Sequence, residues 1–515
     1  MSDRLFRVGV VFAALAAGLA IRAADGQNAQ APAAGLLPPE SNAWFNFEPA
    51  KDDFTPTILD CSPRIEAPAG RHGFVTVKGD KFVFEDGTPA RFWGAQTGSL
   101  RDDPDYSARR MRRQGLNLIR QHGNMNNPGG LDATIARLGQ NGIYMALDIY
   151  YPLNYRYQAS DGIEGWPEGG SSEHVQFFND KAAAAQQKRL VDFFTHMNPR
   201  TGKRWCDDPT LAMIEILNEA SMFWGEVDKA LKRQVEDRFA GWLRKKYGDN
   251  DGLKRAWVSG GNSGLDEGEG LDAGQRIALL PNRSFTEKYF QDNPHRKVRG
   301  RDQMLFYYEL EDNYWTACRN ALRKAGVKVP ITGTAWQGNT TLTTRVHMLA
   351  QSKMDYIDRH GYWAHPQGEG NQRWSIATAT FNPNPMIKAM HADQRQLMYL
   401  GRENLVIEKS WEQVLGKPMT ISEWSTVTPN WYSLEGTALM AGVRPASGLG
   451  RATGVELSAG RLDQPDGAQP IQSLWQPAPH PAIPARHGYV VSPGRQGGGR
   501  GRGSALHERG RLRRN

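Results

Sequence analysis

Residues 211–221 read Leu-Ala-Met-Ile-Glu-Ile-Leu-Asn-Glu-Ala-Ser, directly after Asp207-Asp208-Pro209-Thr210. A turn-forming prelude followed by a short apolar run predicts a strand, with Asn218 and Glu219 at its C-terminal end. Six other stretches have the same look: 90–98 (ARFWGAQTG), 116–123 (LNLIRQHG), 143–151 (IYMALDIYY), 330–336 (PITGTAW), 356–363 (YIDRHGYW) and 419–425 (MTISEWS). Helical periodicity of 3.6 residues fills 105–114, 131–140, 181–197 and 302–324. Strands alternating with helices predict an α/β protein with a parallel sheet and helices outside it. Seven such units fit a (β/α)8 TIM barrel better than a doubly wound sheet, because no GxGxxG or GxxxxGK[ST] follows the first strand.

The rest of the chain divides around this barrel, assigned to 90–441. Residues 1–24 place Arg4 and Arg7 before an apolar run, VGVVFAALAAGLAI, that ends in small residues. That layout predicts a secretory signal and a secreted or periplasmic protein, with no membrane attachment after cleavage. Residues 25–40, rich in Ala, Pro and Gln, read as a linker, and 41–89 as a small N-terminal β cap whose hairpins turn at Gly79-Asp80 and Asp86-Gly87. Residues 225–301 form a long insertion after the fourth strand, with an amphipathic helix and a Gly/Asp-rich stretch, expected to border the mouth of the barrel. The chain has 515 residues, 10% of them aromatic, which suits a protein that grips flat hydroxylated ligands. Three cysteines, Cys61, Cys206 and Cys318, are too few and too scattered for a disulfide framework or a zinc site.

The formal charge of +8 resembles a nucleic-acid signal until it is located. Eight Arg and one Glu between residues 486 and 515 account for nearly all of it, leaving the barrel close to neutral. No phosphate-binding groove is implied. Nucleic-acid binding through the Arg/Gly tail is the weakest of three functional readings.

In a barrel, the C-terminal ends of the strands form the catalytic face. Glu219 and Glu423, at the ends of different strands, can face each other about 5 Å apart, where one attacks an anomeric carbon and the other protonates the leaving oxygen. The set Arg120, His122, Asn218-Glu219, His360-Gly361-Tyr362 and Glu423-Trp424 resembles clan A glycoside hydrolases, close to the cellulase-like family 5 group, over residues 70 to 441. The resemblance implies a retaining double displacement on β-linked glycans, with Glu219 as acid/base and Glu423 as nucleophile. It implies that Asn218 holds the sugar 2-hydroxyl and that Arg120 and Tyr362 touch the nucleophile. Arg120, always charged, would keep Glu423 ionised, whereas Glu219 must be protonated before attack.

Trp424 and the two histidines, His122 and His360, join the substrate-binding candidates. Of Trp166, Trp224, Trp336, Trp363 and Trp374 on or near the catalytic-face loops, Trp336 and Trp363 are the leading aromatic platforms for a sugar ring. Asp148, Tyr150 and Tyr151 finish the third strand and can line subsites. No cofactor is expected, and no metal: His122, His360 and His365 have no ligand spacing, and the chemistry needs none. The expected partner is a polysaccharide or oligosaccharide, and oligomeric state cannot be read. The rival from another class is a glycan-binding pseudoenzyme.

An eighth strand is not readable after Ala441. From Gly442 the text loses its strand and helix periods and becomes rich in Gly, Arg, Pro and Ala. Back-translated and read one nucleotide later, residues 442–451 (GVRPASGLGR) can encode Ala-Tyr-Gly-Leu-Gln-Ala-Ala-Trp-Asp, which resembles the family's eighth strand. The same offset turns SPGRQGG from Ser492 into Arg-Arg-Asp-Val-Lys-Glu. The expectation is a one-nucleotide shift near codon 442, so that 442–515 is an aberrant basic tail that removes the strand closing the barrel.

Overall fold

The computed structural model describes residues 52–96, 100, 103–150, 159–164, 174–363, 409, 412–426, 436–438 and 440–441, which all fall in one compact unit, Ala50–Gln476. The expected signal, linker and tail lie outside these residues, as do Tyr151, Trp166, His365 and Trp374. Of Tyr150, Tyr362 and Trp363 only the backbone is described.

All seven expected strands are present. The chain opens with an antiparallel hairpin, β1 (Val75–Lys78) and β2 (Lys81–Phe84). It then alternates β3 (Gly94–Gln96), α1 (Pro104–Arg113), β4 (Leu118–Gly123), α2 (Asp132–Gln140), β5 (Tyr144–Tyr150), α3 (Asp180–Phe194) and β6 (Leu211–Asn218). After the insertion, which carries α4 (Lys232–Tyr247), come α5 (Lys297–Lys324), β7 (Ile331–Thr332), α6 (Thr341–Gln351), β8 (Ile357–Trp363) and β9 (Met419–Thr426). α1 begins where Asp103 accepts from the Tyr106 N–H and Pro104 occupies the first turn. α6 has no strong apolar period and is rich in β-branched Thr and Val; a reciprocal capping box between Thr340 and Thr343 starts it instead.

Five strands form a parallel sheet in the order β7-β6-β5-β4-β3, and β8 pairs in parallel with β9. Two backbone hydrogen bonds join these groups: the Asp355 N–H donates to Ile331 O at 2.9 Å and the His360 N–H to Ala335 O at 3.2 Å. Seven strands thus run side by side. Among the described residues β9 has no second neighbouring strand, and the stretch from Gly442 on, where no closing strand is readable, lies outside them. Every residue of β6 is buried, as expected of a parallel strand covered on both faces.

Register sets the interior in layers. Gln96, Arg120 and Ala146 stand in line across β3, β4 and β5, and His122, Asp148, Glu215 and Thr332 across β4, β5, β6 and β7. The N-terminal hairpin covers the opposite end from the strand C-termini. Phe84 and Phe92 each lie 5.4 Å from Tyr144 at the start of β5, and Phe82 lies 5.5 Å from Tyr356, just before β8. The hairpin therefore packs at the N-terminal ends of the strands, away from the C-terminal ends that lead to Glu219 and carry Glu423. The stretch 225–301 returns to those C-terminal ends: the Asn282 amide donates to Met222 O at 2.9 Å and Gly225 O at 2.7 Å, just past Glu219.

Candidate active site

Arg120 is the centre of the site. Its side chain is 2% exposed and all four terminal N–H groups are used. Nη1 donates to Glu423 Oε1 at 2.5 Å and to Gln96 Oε1 at 3.2 Å. Nη2 donates to Glu215 Oε2 and to Asn218 Oδ1, each at 2.6 Å. Nε lies 3.2 Å from Asp148 Oδ2. Burial opposes the guanidinium charge, but Asp148, Glu215, Glu423 and Asp358 around it override burial and hold the proton more firmly than usual.

Gln96 extends the network to His122. With its carbonyl accepting from Arg120, its amide NH2 faces His122 Nε2 at 2.6 Å, so that nitrogen accepts. The ring proton then sits on Nδ1, which donates to Asp148 Oδ1 at 2.6 Å. His122 Nε2 is 3.9 Å from Glu423 Oε1.

Glu219 approaches from β6. Its φ of +51° is in the left-handed region, uncommon for a residue with a side chain and frequent at functional sites. The turn is held on its far side: the Ala220 N–H donates to Thr334 Oγ1 at 3.1 Å, the Met222 N–H to Glu311 Oε1 at 2.7 Å and the Ser221 hydroxyl to the same oxygen at 2.9 Å. Buried His347 in turn meets Glu311 Oε2 at 2.7 Å.

His360 on β8 lies between the two carboxylates. Nδ1 is 2.8 Å from Glu219 Oε1 and 3.7 Å from Glu423 Oε2, and Nε2 meets Ser422 Oγ at 3.0 Å. Burial favours the neutral ring, but the Glu423 charge and the Glu219 hydrogen bond outweigh it and push His360 up to about 9. One ligand atom each from Glu219, His360 and Glu423 fall within 4.8 Å of one another, a group able to hold a metal ion. A cation there would have to displace the imidazolium proton, because a protonated ring cannot ligate. At neutral pH the proton does the bridging.

The carboxylates thus stand in different surroundings. Glu423 is 9% exposed and tied to Arg120, whereas Glu219 is 28% exposed and reaches the cleft. Trp336 stands beside His360, ring centroids 6.4 Å apart, and meets Trp224 edge to face at 4.8 Å, giving the cleft a half-buried aromatic wall.

No family model and no curated protein matches the sequence. Solved structures that resemble it include the endo-1,4-beta-mannanase from Rhizomucor miehei, 12% identical over 75% of this chain and 90% of that one, with a TM-score of 0.39. A glycoside hydrolase family 5 mannosidase from the same organism is 14% identical over 78% and 90%, also with a TM-score of 0.39. The native form of a beta-glucanase from Saccharophagus degradans is 13% identical over 79% and 89%, with a TM-score of 0.36. These likenesses are too loose to transfer an activity or a substrate to this chain.

Of the residues singled out in the sequence, Arg120, His122, Asn218, Glu219, His360 and Glu423 meet in one network, with Trp336 beside it. Trp424 does not. Side chains alternate across a strand, so with Glu423 facing Arg120 its neighbour faces outward, and Trp424 is 2% exposed in a cluster with Ile357, Met419, Ile421 and Met440. It is a packing residue here rather than a sugar contact. Tyr362 and Trp363 lie on β8, with side chains outside the described residues. Gln96, Glu215, Asp358 and Ser422 were not singled out in the sequence, yet all are buried around Arg120 and His360. Their common signal is a polar residue inside an otherwise apolar strand, which must find a partner when buried.

Proposed function

We propose that the chain is a retaining glycoside hydrolase acting on β-linked glycans, with Glu423 as nucleophile and Glu219 as acid/base. The observation that carries this is a pair of strand-end glutamates whose nearest oxygens lie within 4.8 Å, one held by a buried arginine and the other open to the cleft. That separation is near the short spacing of about 5 Å that goes with direct attack, and leaves no room for the water an inverting enzyme needs between its carboxyls.

In the first step the Glu423 carboxylate attacks the anomeric carbon, while the proton shared between His360 Nδ1 and Glu219 passes through Glu219 to the departing glycosidic oxygen. Arg120 keeps the nucleophile anionic until attack, and Asn218, whose carbonyl is turned to Arg120, has its NH2 to offer the sugar 2-hydroxyl. Once Glu423 is esterified its charge is gone, and Glu219 can carry one in its place. In the second step water attacks the anomeric carbon, gives its proton to Glu219 and releases Glu423. Trp336 supplies a face for the ring. The charged N-terminal residues and apolar run of 1–24 support a secreted or periplasmic setting.

The test uses the full chain on a panel of mannan, glucan, xylan and galactan oligosaccharides, following the anomer released by NMR. Release of the β-anomer first, and a loss of about 10⁴-fold or more in turnover for both E219Q and E423Q, is expected. Release of the α-anomer overturns the retaining step. Glycan binding without turnover, equal in wild type and variants, makes the chain a binding protein instead.

A further inference from the structure

We propose that Glu215, which lies beneath the cleft, is a positioning residue that holds both arms of the reaction in place at once. This rests on the glycoside hydrolase reading above and assigns a further residue to it. One oxygen of Glu215, Oε2, accepts from Arg120 Nη2 at 2.6 Å, and Arg120 grips Glu423 with its other terminal nitrogen at 2.5 Å. The other oxygen, Oε1, accepts from the Ala335 N–H at 2.6 Å. The carbonyl of the same Ala335 accepts from the His360 N–H at 3.2 Å, and His360 contacts Glu219 at 2.8 Å. One carboxyl group therefore bridges the nucleophile arm, through a guanidinium, and the acid/base arm, through the N–H and C=O of one residue, Ala335. Ala335 also leads directly into Trp336, so the aromatic wall hangs from the same bond.

Packing alone does not fix this arrangement. A small cavity adjoins the group, lined by Arg120, Ala146, Met213, Glu215, Asp358 and Thr420. The space is only about 10 Å³, no more than a water needs, so loss of the Glu215 contact lets Arg120 shift by a fraction of an ångström up to about 1 Å, and Glu423 and Asn218, bonded to it, shift with it. Displacement of a reacting group by about 1 Å costs on the order of 100-fold in rate. A glutamine at this position keeps the shape but has one acceptor oxygen, so either the arginine or the Ala335 N–H loses its partner.

The experiment measures kcat and KM for E215Q, E215D, R120K and E215Q/R120K in the full chain, on whichever oligosaccharide the wild type hydrolyses, with melting curves to count folded protein. E215D keeps the charge in nearly the same volume but is one methylene too short to span both donors, and is the second variant should E215Q not fold. The expected result is a fall in kcat of about 10- to 100-fold with KM within about 3-fold of wild type. The double variant is expected to be no slower than R120K alone, because both changes break one link. A kcat within about 3-fold of wild type in E215Q or E215D, or losses in E215Q and R120K that multiply in the double variant, overturns the proposal. Failure of the underlying reading looks different: the wild type itself hydrolyses nothing.

Discussion

Two buried arginines in this protein look alike by exposure and differ in everything else. Arg299, 1% exposed, sits in the insertion and meets Glu269 with both terminal nitrogens, at 2.6 and 2.8 Å. Its remaining partners are the carbonyls of Gly264 and Ala278 and, at 3.6 Å, Asp266, which is itself bonded to Arg296, so its partners come from one local stretch of chain and the charges there are balanced. Arg120 gathers Gln96, Asp148, Glu215, Asn218 and Glu423 from β3, β5, β6 and β9, and carboxylates outnumber it. A buried arginine is thus no mark of function in itself. The mark is an unbalanced set of carboxylates drawn from distant strands, one of them within reach of a second glutamate at an open cleft.

The largest effect expected from breaking this contrast is on R120A. Removing one partner of a buried ion network costs about 3–5 kcal/mol of stability, and loss of the nucleophile's hydrogen-bond donor lowers kcat by about 10³-fold in the protein that remains folded. R299A should lose comparable stability in chemical denaturation while its folded fraction keeps kcat within about 3-fold of wild type. Equal loss of turnover in the two variants would erase the distinction.

A smaller effect follows from protons. Burial, together with the neighbouring Asp358 and Asp148 and against the pull of Arg120, raises Glu215 above the ordinary carboxylate range, while His360 is pushed up to about 9. Both groups hold protons more firmly folded than unfolded. Their contribution is complete below the ordinary values of 4.5 and 6.5 and is lost as pH rises through the raised folded values, about 9 for His360. The melting temperature should therefore fall between about pH 7 and about pH 9.5, and E215Q should flatten part of that slope. The Arg299 clasp should contribute nothing to it.

Next in size, W336A is expected to raise KM about 10-fold with a lesser change in kcat, because a stacking face is lost without disturbing the carboxylates. The smallest effect belongs to an exposed pair such as Lys188–Asp192 on α3, spaced four residues apart at 2.6 Å. D192N should shift stability by about 0.5 kcal/mol or less and leave kinetics alone.

The comparison also explains what could be read from the sequence. The seven strands were legible because each is a short apolar run between turn signals, and Glu219 and Glu423 because each ends such a run. Glu215, Asp148 and Asp358 were equally visible as charges inside apolar strands, but which charge meets which is decided by register across strands far apart in sequence. Trp424 looked like a substrate contact by its place next to Glu423, and strand alternation sends it the other way. Arg299 illustrates the converse: its helix α5 is amphipathic in sequence, yet nothing in that pattern distinguishes a structural arginine from a catalytic one.

Glu219 occupies a left-handed backbone position, where asparagine or glycine would sit with less strain. A chain selected only to fold would have no use for a glutamate there. E219G should therefore be dead as a catalyst and yet melt no lower than the wild type, once the lost His360 hydrogen bond is set against the relieved backbone. On the proposed reading the strained position is a concession by the fold to chemistry: the backbone accepts a costly conformation there to bring a carboxyl group to the cleft.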